Sequence, residues 1–515
     1  MLGRWTNAPY GDALLGLLDS ANRRLASTHT YLFDTNLGLF VQDDFRVRPD
    51  LTVNLGLRYE LTKPITEKYG HWGAFSPAQG QFILADDRYV PNLDGLTAAA
   101  GLTGKIGVAR TFGLPGALMR TNYTNFAPRV GFAWRPGGGL RTVVRAGYGI
   151  FYASSMSNRI RNSLGNVFPF GITQSYSRDT KNPKGLTLAN PFPSAGGALT
   201  GVSAVGGIDL QASSPYNQNW NFTIEREIGG ATAIELSYEG SKGTHLDRSY
   251  DLNQPVRVPA GAVPGSSLGR PFPAFAAISY FGYASNSSYN AGMVTLKRRF
   301  RNGLFYRVGY TFGKSVDDAS QNGAGSNGGY AGAQDARNLS LERGRSDWDT
   351  RHSLKMTLSA ESPFRRNWLS RDWQIALTGR ISSGQPFTPV VANSSIDRGE
   401  ADRPDRIAQG SVTNPTPEVW FDTKAFVPVP TGSFRVGTSG RNILDGPRYA
   451  QANVSFSRQF RLNERRSFQL RWEMFNVTNH TNFLLPNTSV DVPAGGGITS
   501  SYDARIMQVG LKYIF

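Results

Sequence analysis

Apolar residues recur at every second position in short runs along most of this chain, and the runs come in pairs. Leu39, Val41, Phe45 and Val47 alternate up to Arg48-Pro49-Asp50, after which Leu51, Val53, Leu55, Leu57 and Tyr59 alternate again. Val130, Phe132 and Trp134 lead through Pro136-Gly137-Gly138-Gly139 into Val144, Ala146, Tyr148 and Ile150. Trp220, Phe222, Ile224 and Ile228 turn at Gly229-Gly230 into Thr232, Ile234, Leu236 and Tyr238. Val294, Leu296 and Phe300 turn at Arg301-Asn302-Gly303 into Leu304, Tyr306, Val308, Tyr310 and Phe312. Leu354, Met356 and Leu358 pass a longer turn near Pro363 to reach Trp373, Ile375 and Leu377. Val454, Phe456 and Phe460 turn near Asn463 into Phe468, Leu470, Trp472 and Met474. The chain closes on Met507, Val509, Leu511, Tyr513 and Phe515. A period of two is the signature of a strand with one greasy face, and tight Asn-Gly or Gly-Gly turns between such runs mark hairpins. The pattern predicts six hairpins and a terminal strand, thirteen strands in all.

The connections between hairpins are of another kind. Roughly 62–127, 153–216, 241–289, 313–349, 383–450 and 477–503 are long and rich in Gly, Pro, Ser and Asn. Loops of this length count against a compact soluble domain. Their strict alternation with short turns is instead the plan of a transmembrane antiparallel up-and-down β-barrel, with long extracellular loops on one rim and short periplasmic turns on the other.

The second face of the strands agrees. Between the apolar positions stand Arg58, Glu60, Arg145, Glu225, Glu235, Glu239, Arg307, Arg471 and Glu473. A charge facing lipid at mid-depth costs about 2–4 kcal/mol, so these side chains are expected to face the lumen. Arg226 and Arg298 sit on the apolar parity, but close to short turns, where that cost falls to about 0–1 kcal/mol.

The totals fit this reading. A chain of 515 residues exceeds one ordinary soluble domain unless it is a barrel or a propeller. Mean hydropathy is −0.34, and no stretch approaches the roughly 18 consecutive apolar residues of a spanning helix. There is no Cys, hence no disulfide or thiolate site. The formal charge of +17 first suggests a nucleic-acid partner. The basic residues are spread along the chain without a run of five or six, which fits a polar lumen or an anionic lipid surface, and no nucleic-acid partner is expected.

No motif calls for catalysis or a cofactor. Gly323 to Gly328 matches GxGxxG without a preceding strand or following helix, and Gly265 to Gly269 matches a nucleophile elbow inside a Pro-rich loop. His29, His71, His245, His352 and His480 lack metal-binding spacing. Asp317-Asp318 offers oxygens to a divalent cation but reads more simply as a solvated loop entry. The chain is not expected to be an enzyme.

Several of these segments together resemble a known family, the TonB-dependent outer-membrane receptors, and within it the Oar-like group. They are Val41-Gln-Asp-Asp-Phe-Arg-Val47 running into Leu55-Gly-Leu-Arg-Tyr-Glu60, Val143 to Tyr152, Tyr238-Glu-Gly-Ser-Lys-Gly-Thr-His245 and Tyr310 to Ser320. Ser383-Gly-Gln-Pro-Phe387, Phe475-Asn-Val-Thr-Asn-His480 and the terminal Tyr513-Ile-Phe515 complete the set, from about residue 10 to the end. The resemblance implies a barrel of about 22 strands with an N-terminal plug, residence in the outer membrane of a Gram-negative-type bacterium, and active uptake of a bulky, scarce ligand such as a siderophore, glycan or peptide. It also implies that Val509, Leu511, Tyr513 and Phe515 are read by the barrel assembly machinery.

Residues 1–26 are expected to be an irregular N-terminal remnant and residues 27–515 the barrel portion. Neither a signal peptide nor a plug nor a TonB-contacting box is recognisable at the front, and thirteen strands is an odd number. The plug and the first strands are therefore expected to be absent, leaving contact with the TonB system to that missing part. The remaining expected partners are outer-membrane lipid and an unidentified extracellular ligand. A passive pore or an adhesin-type scaffold is the competing reading.

Overall fold

Thirteen long strands form one continuous antiparallel wall in the computed structural model of the chain. The structure describes the chain apart from residues 1–3, 25–29, 89, 91, 139–140, 154–163, 166, 180–184, 194–197, 201–204, 211–212, 256–268, 321–332, 364–370, 392–401, 431–432 and 434. The wall strands are β1 (Asn36–Arg48), β2 (Leu51–Thr62), β3 (Phe126–Trp134), β4 (Thr142–Tyr152), β5 (Tyr216–Gly229), β6 (Thr232–Asp251) and β7 (Ile278–Arg301). They continue as β8 (Leu304–Asp317), β9 (His352–Glu361), β10 (Trp373–Ser382), β11 (Tyr449–Arg461), β12 (Ser467–Phe475) and β13 (Ile506–Ile514). Each pairs with its neighbours in sequence, so the topology is an up-and-down meander. All thirteen strands read from the alternation are present.

The local chemistry explains the short rim. Arg301 pairs with Leu304 across Asn302 and Gly303, whose φ values of 54° and 69° are the left-handed pair that a two-residue hairpin needs. Asn and Gly tolerate that region where a β-branched residue would be strained. At the β5–β6 turn Gly229, Gly230 and Ala231 all take positive φ.

The apolar residues of the wall share one strand face and stay largely exposed there, touching only neighbours on adjacent strands. Val41, Leu55, Val130, Phe222, Leu236, Phe312 and Leu511 are all exposed large hydrophobics. In water each would forgo about 1.5–3 kcal/mol of burial, so this face is built for a hydrocarbon solvent. On the same face Trp220 lies over Gly240, its register partner, and a Cβ on Gly240 would fall within 2.1 Å of the indole ring.

The edges of the wall are open among the described residues. No pairing register joins β13 to β1, and both strands are exposed over their whole length. Thirteen alternating strands leave these two edges running in the same direction.

Several of the long connections carry regular structure among the described residues. Above the wall, β6 and β7 extend to 20 and 24 residues, well into the 241–289 segment read as a loop. The polar run Ser285 to Ser288 hides the period there. The start of β7, residues 278–281, pairs in parallel with Val205–Ile208, which also bridges in parallel to Gly73–Ser76, and that strand pairs with Gln81–Leu84. These pieces enclose two apolar cores. One contains Phe75, Phe82, Leu84, Phe168, Phe275 and Ile278; the other contains Trp72, Ile83, Leu118, Ile208 and Phe281. A third small core, Phe387, Phe421, Phe426 and Leu444, sits in the 383–448 connection. We call this assembly the cap.

The start of the chain differs from expectation. Residues 1–26 contain a helix, Pro9–Leu14, and a strand, Ser20–Arg24, that pairs with Thr173–Ser177 of the cap. Pro9 at the first turn suits a helix start, and Leu18, Tyr176 and Leu186 bury one another. The first wall strand starts at Asn36, three residues before the alternation becomes visible at Leu39.

Candidate functional site: the polar strand face and the cap above it

The charged residues on the non-apolar strand face fall into separate clusters. Arg145 on β4 reaches Glu225 on β5 at 3.3 Å. Glu225 and Glu235 are direct register partners, an arrangement that repels. Lys297 on β7 relieves it, with Nζ 3.1 Å from Glu225 and 2.7 Å from Glu235. Sequence reasoning missed Lys297, although its parity, three residues past Val294, would have found it. Arg58 and Glu60 pair at 2.5 Å along β2, and Arg471 lies 3.8 Å from Glu473 along β12. Glu473 also accepts a hydrogen bond from Gln508 of β13 at 2.6 Å. Glu239 stands opposite Asn221 and Ala291, and Arg307 opposite Lys297 and Thr357; neither joins these clusters.

The terminal residues Val509, Leu511 and Tyr513 are exposed on the outermost strand, and Phe515 follows it. Tyr513 contacts Phe468 across the strand pair, with ring centroids 4.9 Å apart, and stacks on Phe515 at 5.7 Å.

Where β8 leaves the wall, a buried ionic network ties the cap to it. The Arg441 guanidinium is 3% exposed and donates to the Asp317 carboxylate, to the Asp317 carbonyl at 2.6 Å, to Ser320 Oγ at 2.9 Å and to the Glu342 carbonyl at 2.8 Å. Arg403, 2% exposed, pairs with Glu342 at 3.0 Å. Asn442 donates to Asp347 at 2.7 Å and to the Arg345 carbonyl at 2.8 Å, while Arg345 reaches Asp445 at 2.6 Å. Buried charges persist only when paired and hydrogen-bonded, and all three guanidinium nitrogens of Arg441 donate here. This corrects the reading of Asp317-Asp318 as a solvated loop entry. Asp317 is buried against Arg441, and Asp318 accepts the Asn286 amide at 3.0 Å. Residues 323–328 and 265–268, which carry the two discarded motif matches, lie outside the described residues.

Two neighbouring cavities open on the cap side of this network. The larger, about 710 Å³, is lined by Arg406, Trp420, Phe421, Asp445, Arg448 and His480 among others. The second, about 560 Å³, includes Arg380, Ser382, Gln385, Tyr449 and Tyr502; both share Pro447 and Phe483. The Arg380 guanidinium carbon stands 5.6 Å from the Tyr449 ring centroid. Arg406 is pinned by the Ala408 and Gln409 carbonyls at 3.0 and 3.1 Å. Beside them Asp405 accepts both ends of the Arg435 guanidinium fork, at 2.7 and 2.5 Å, and this pairing holds its carboxyl below the usual carboxylate range. Cavities of this size suit a ligand of several hundred daltons.

Comparison with known proteins agrees with this architecture. The sequence profile of the outer membrane beta barrel domain family matches residues 2–508. Among solved structures, the outer membrane transporter YddB from Escherichia coli superposes with a TM-score of 0.50 at 9% identity, over 93% of this chain and 45% of that one. The ferripyoverdine receptor of the Pseudomonas aeruginosa outer membrane gives 0.45 at 12% identity, over 95% and 40%. The FrpB iron transporter from Neisseria meningitidis gives 0.44 at 12% identity, over 95% and 46%. The chain thus spans less than half the length of each. No curated sequence matches it.

Proposed function

The chain belongs to the outer membrane β-barrel domain family and resides in the outer membrane, and from that premise we propose that it is the C-terminal barrel portion of a TonB-dependent receptor of the Oar-like group. In this reading the wall crosses the bilayer and its polar face lines the ligand route. The cap captures a bulky, scarce ligand from outside. The observation that carries the proposal is the coexistence of a lipid-ready exterior with a cap, tied to the wall by buried ion pairs, that borders two ligand-sized cavities. A wall meant only as a scaffold has no need of such cavities, nor of a cap tied down by buried arginines such as Arg403 and Arg441.

The open edges support the partial-barrel reading. Antiparallel closure between two edges of the same direction requires an odd number of further strands, and unpaired edges are an association hazard. A second copy of the same wall brings thirteen strands, so it meets this parity in number; the spans of the solved structures favour strands of a longer chain instead.

The reading is tested in cells that carry the parent gene. Ligand accumulation should collapse when TonB is deleted or the proton gradient is discharged, with the barrel still present in the outer membrane. Accumulation that persists under both conditions makes the protein a passive pore and contradicts the proposal.

A further inference from the structure

The arginines that look scattered along the sequence are gathered by the fold. The described residues of the six short connections and their flanks, 46–52, 135–138, 141, 226–231, 298–303, 361–363, 371–372 and 458–466, all lie on one rim because the wall is an up-and-down meander. Together these 38 residues hold thirteen arginines, five carboxylates and no lysine. They therefore carry +8 of the chain's +17, leaving +9 for the other 477 residues.

Most of this charge is not spent on internal ion pairs. Arg48 pairs with Asp50 and Arg371 with Asp372, each at 3.6 Å. Arg226, Arg299, Arg301 and Arg461 are exposed and have no carboxylate within salt-bridge distance among the described residues. The arginines are also interleaved with exposed apolar groups. Phe300 stands between Arg299 and Arg301 and is 53% exposed, Ile228 is 60% exposed two positions from Arg226, and Leu462 is 59% exposed beside Arg461. Arg226 and Arg298 lie on the same strand face as the outward apolar residues, separated by β6 alone. The Arg458 guanidinium rests 4.4 Å from the Phe460 ring centroid and 5.8 Å from that of Trp373.

We propose that this rim is an arginine collar that binds the phosphates of anionic phospholipid headgroups, with its apolar residues anchored in the acyl boundary of the same leaflet. Arginine without lysine fits that ligand. The planar fork grips phosphate oxygens through two parallel hydrogen bonds and is less strongly hydrated than an ammonium. A basic residue near a charged bilayer surface contributes about 1 kcal/mol each, and the effect fades within a Debye length. The proposal rests on the fold and not on the transport reading, so either can fail alone.

The test is tryptophan quenching of the full chain reconstituted in bilayers, with dibrominated phosphatidylglycerol compared against dibrominated phosphatidylcholine. Trp134 and Trp373 stand at the collar. Phosphatidylglycerol should associate about five-fold or more in preference to phosphatidylcholine at low salt, and 0.5 M NaCl should remove most of that preference. In Arg226→Gln/Arg299→Gln/Arg301→Gln the ratio should drop toward one, with the heat-modifiable gel shift confirming a folded wall. The corresponding triple lysine variant should stand between the two. Should the triple variants fail to fold, Arg299→Gln alone, on an exposed turn, should still lower the ratio. A ratio near one in the unaltered chain, or one unaffected by these substitutions, overturns the collar. If purified lipopolysaccharide displaces the quenching at lower concentration than phosphatidylglycerol does, the phosphate source is the opposite leaflet and the phospholipid assignment is wrong.

Discussion

Leu236 of β6 and Phe82 of the cap are both large apolar residues set in strands, yet Leu236 is 47% exposed and Phe82 wholly buried. The difference runs through the whole molecule. The wall turns its Leu, Val and Phe side chains outward and keeps Glu225, Glu235 and Lys297 on the other face. The cap puts Phe75, Phe82 and Phe275 inside, as any water-soluble domain does. The same residue types are sorted in opposite directions because the two regions meet different solvents. Cohesion differs as well. The wall is held by strand registers, which hydrocarbon leaves intact because the backbone groups between its two open edges are paired within the sheet. The cap is held by packing and by buried ion pairs such as Arg441–Asp317.

That contrast can be broken region by region. The largest effect is expected for Arg441→Met, which leaves Asp317 and Asp347 buried without their cation. Removing one partner of such a network costs about 3–5 kcal/mol. Limited proteolysis should then cut the 318–351 and 383–448 connections much faster, while the gel shift of the folded wall is retained. Loss of the wall together with the cap would show that the two are one cooperative unit.

Leu236→Arg reverses the pattern. At mid-depth it should cost about 2–4 kcal/mol of wall stability in bilayers, read as the urea midpoint of folding into vesicles. Cap proteolysis should remain as before. Gly240→Val is expected to cost about 1–3 kcal/mol in the same assay, since its side chain must displace the Trp220 indole. Gly240→Val should also shift tryptophan emission, and an unchanged spectrum would mean that Trp220 does not lie over this position.

The smallest effect belongs to the cap's exposed charges. The carboxyl of Asp405 is lowered by the Arg435 fork, with the Thr438 amide assisting at 3.2 Å. A depressed carboxyl contributes stability that is present above its ordinary range and disappears as pH falls through the lower, folded value. Cap proteolysis should therefore quicken at acid pH, and Asp405→Asn should abolish part of that pH dependence. Equal pH profiles for the two proteins would remove this contribution.

The wall was legible in the sequence and most of the cap was not, for a physical reason. A strand between lipid and a polar face writes a period of two over nine or more residues, as Ile234, Leu236 and Tyr238 do against Glu235, Ser237 and Glu239. Cap strands such as Gly73–Ser76 and Gln81–Leu84 are four residues long and buried on both faces, so they write no alternation at all. Of the strand-face charges, Arg145 pairs directly with Glu225, while Glu225 and Glu235 are joined by Lys297, which only its strand parity marks. The Arg441 network is built across more than a hundred residues of separation, and single-sequence patterns carry no record of such contacts.

The inversion of the wall is the central claim, and β6 tests it most directly. The chain has no cysteine, so spin labels can be placed one at a time from Ile234 to Glu239 without prior substitutions. In bilayers, labels at 234, 236 and 238 should be relaxed mainly by lipid-soluble oxygen, and those at 235, 237 and 239 mainly by a water-soluble nickel chelate. Six positions with uniform accessibility, or with the opposite parity, would contradict the account.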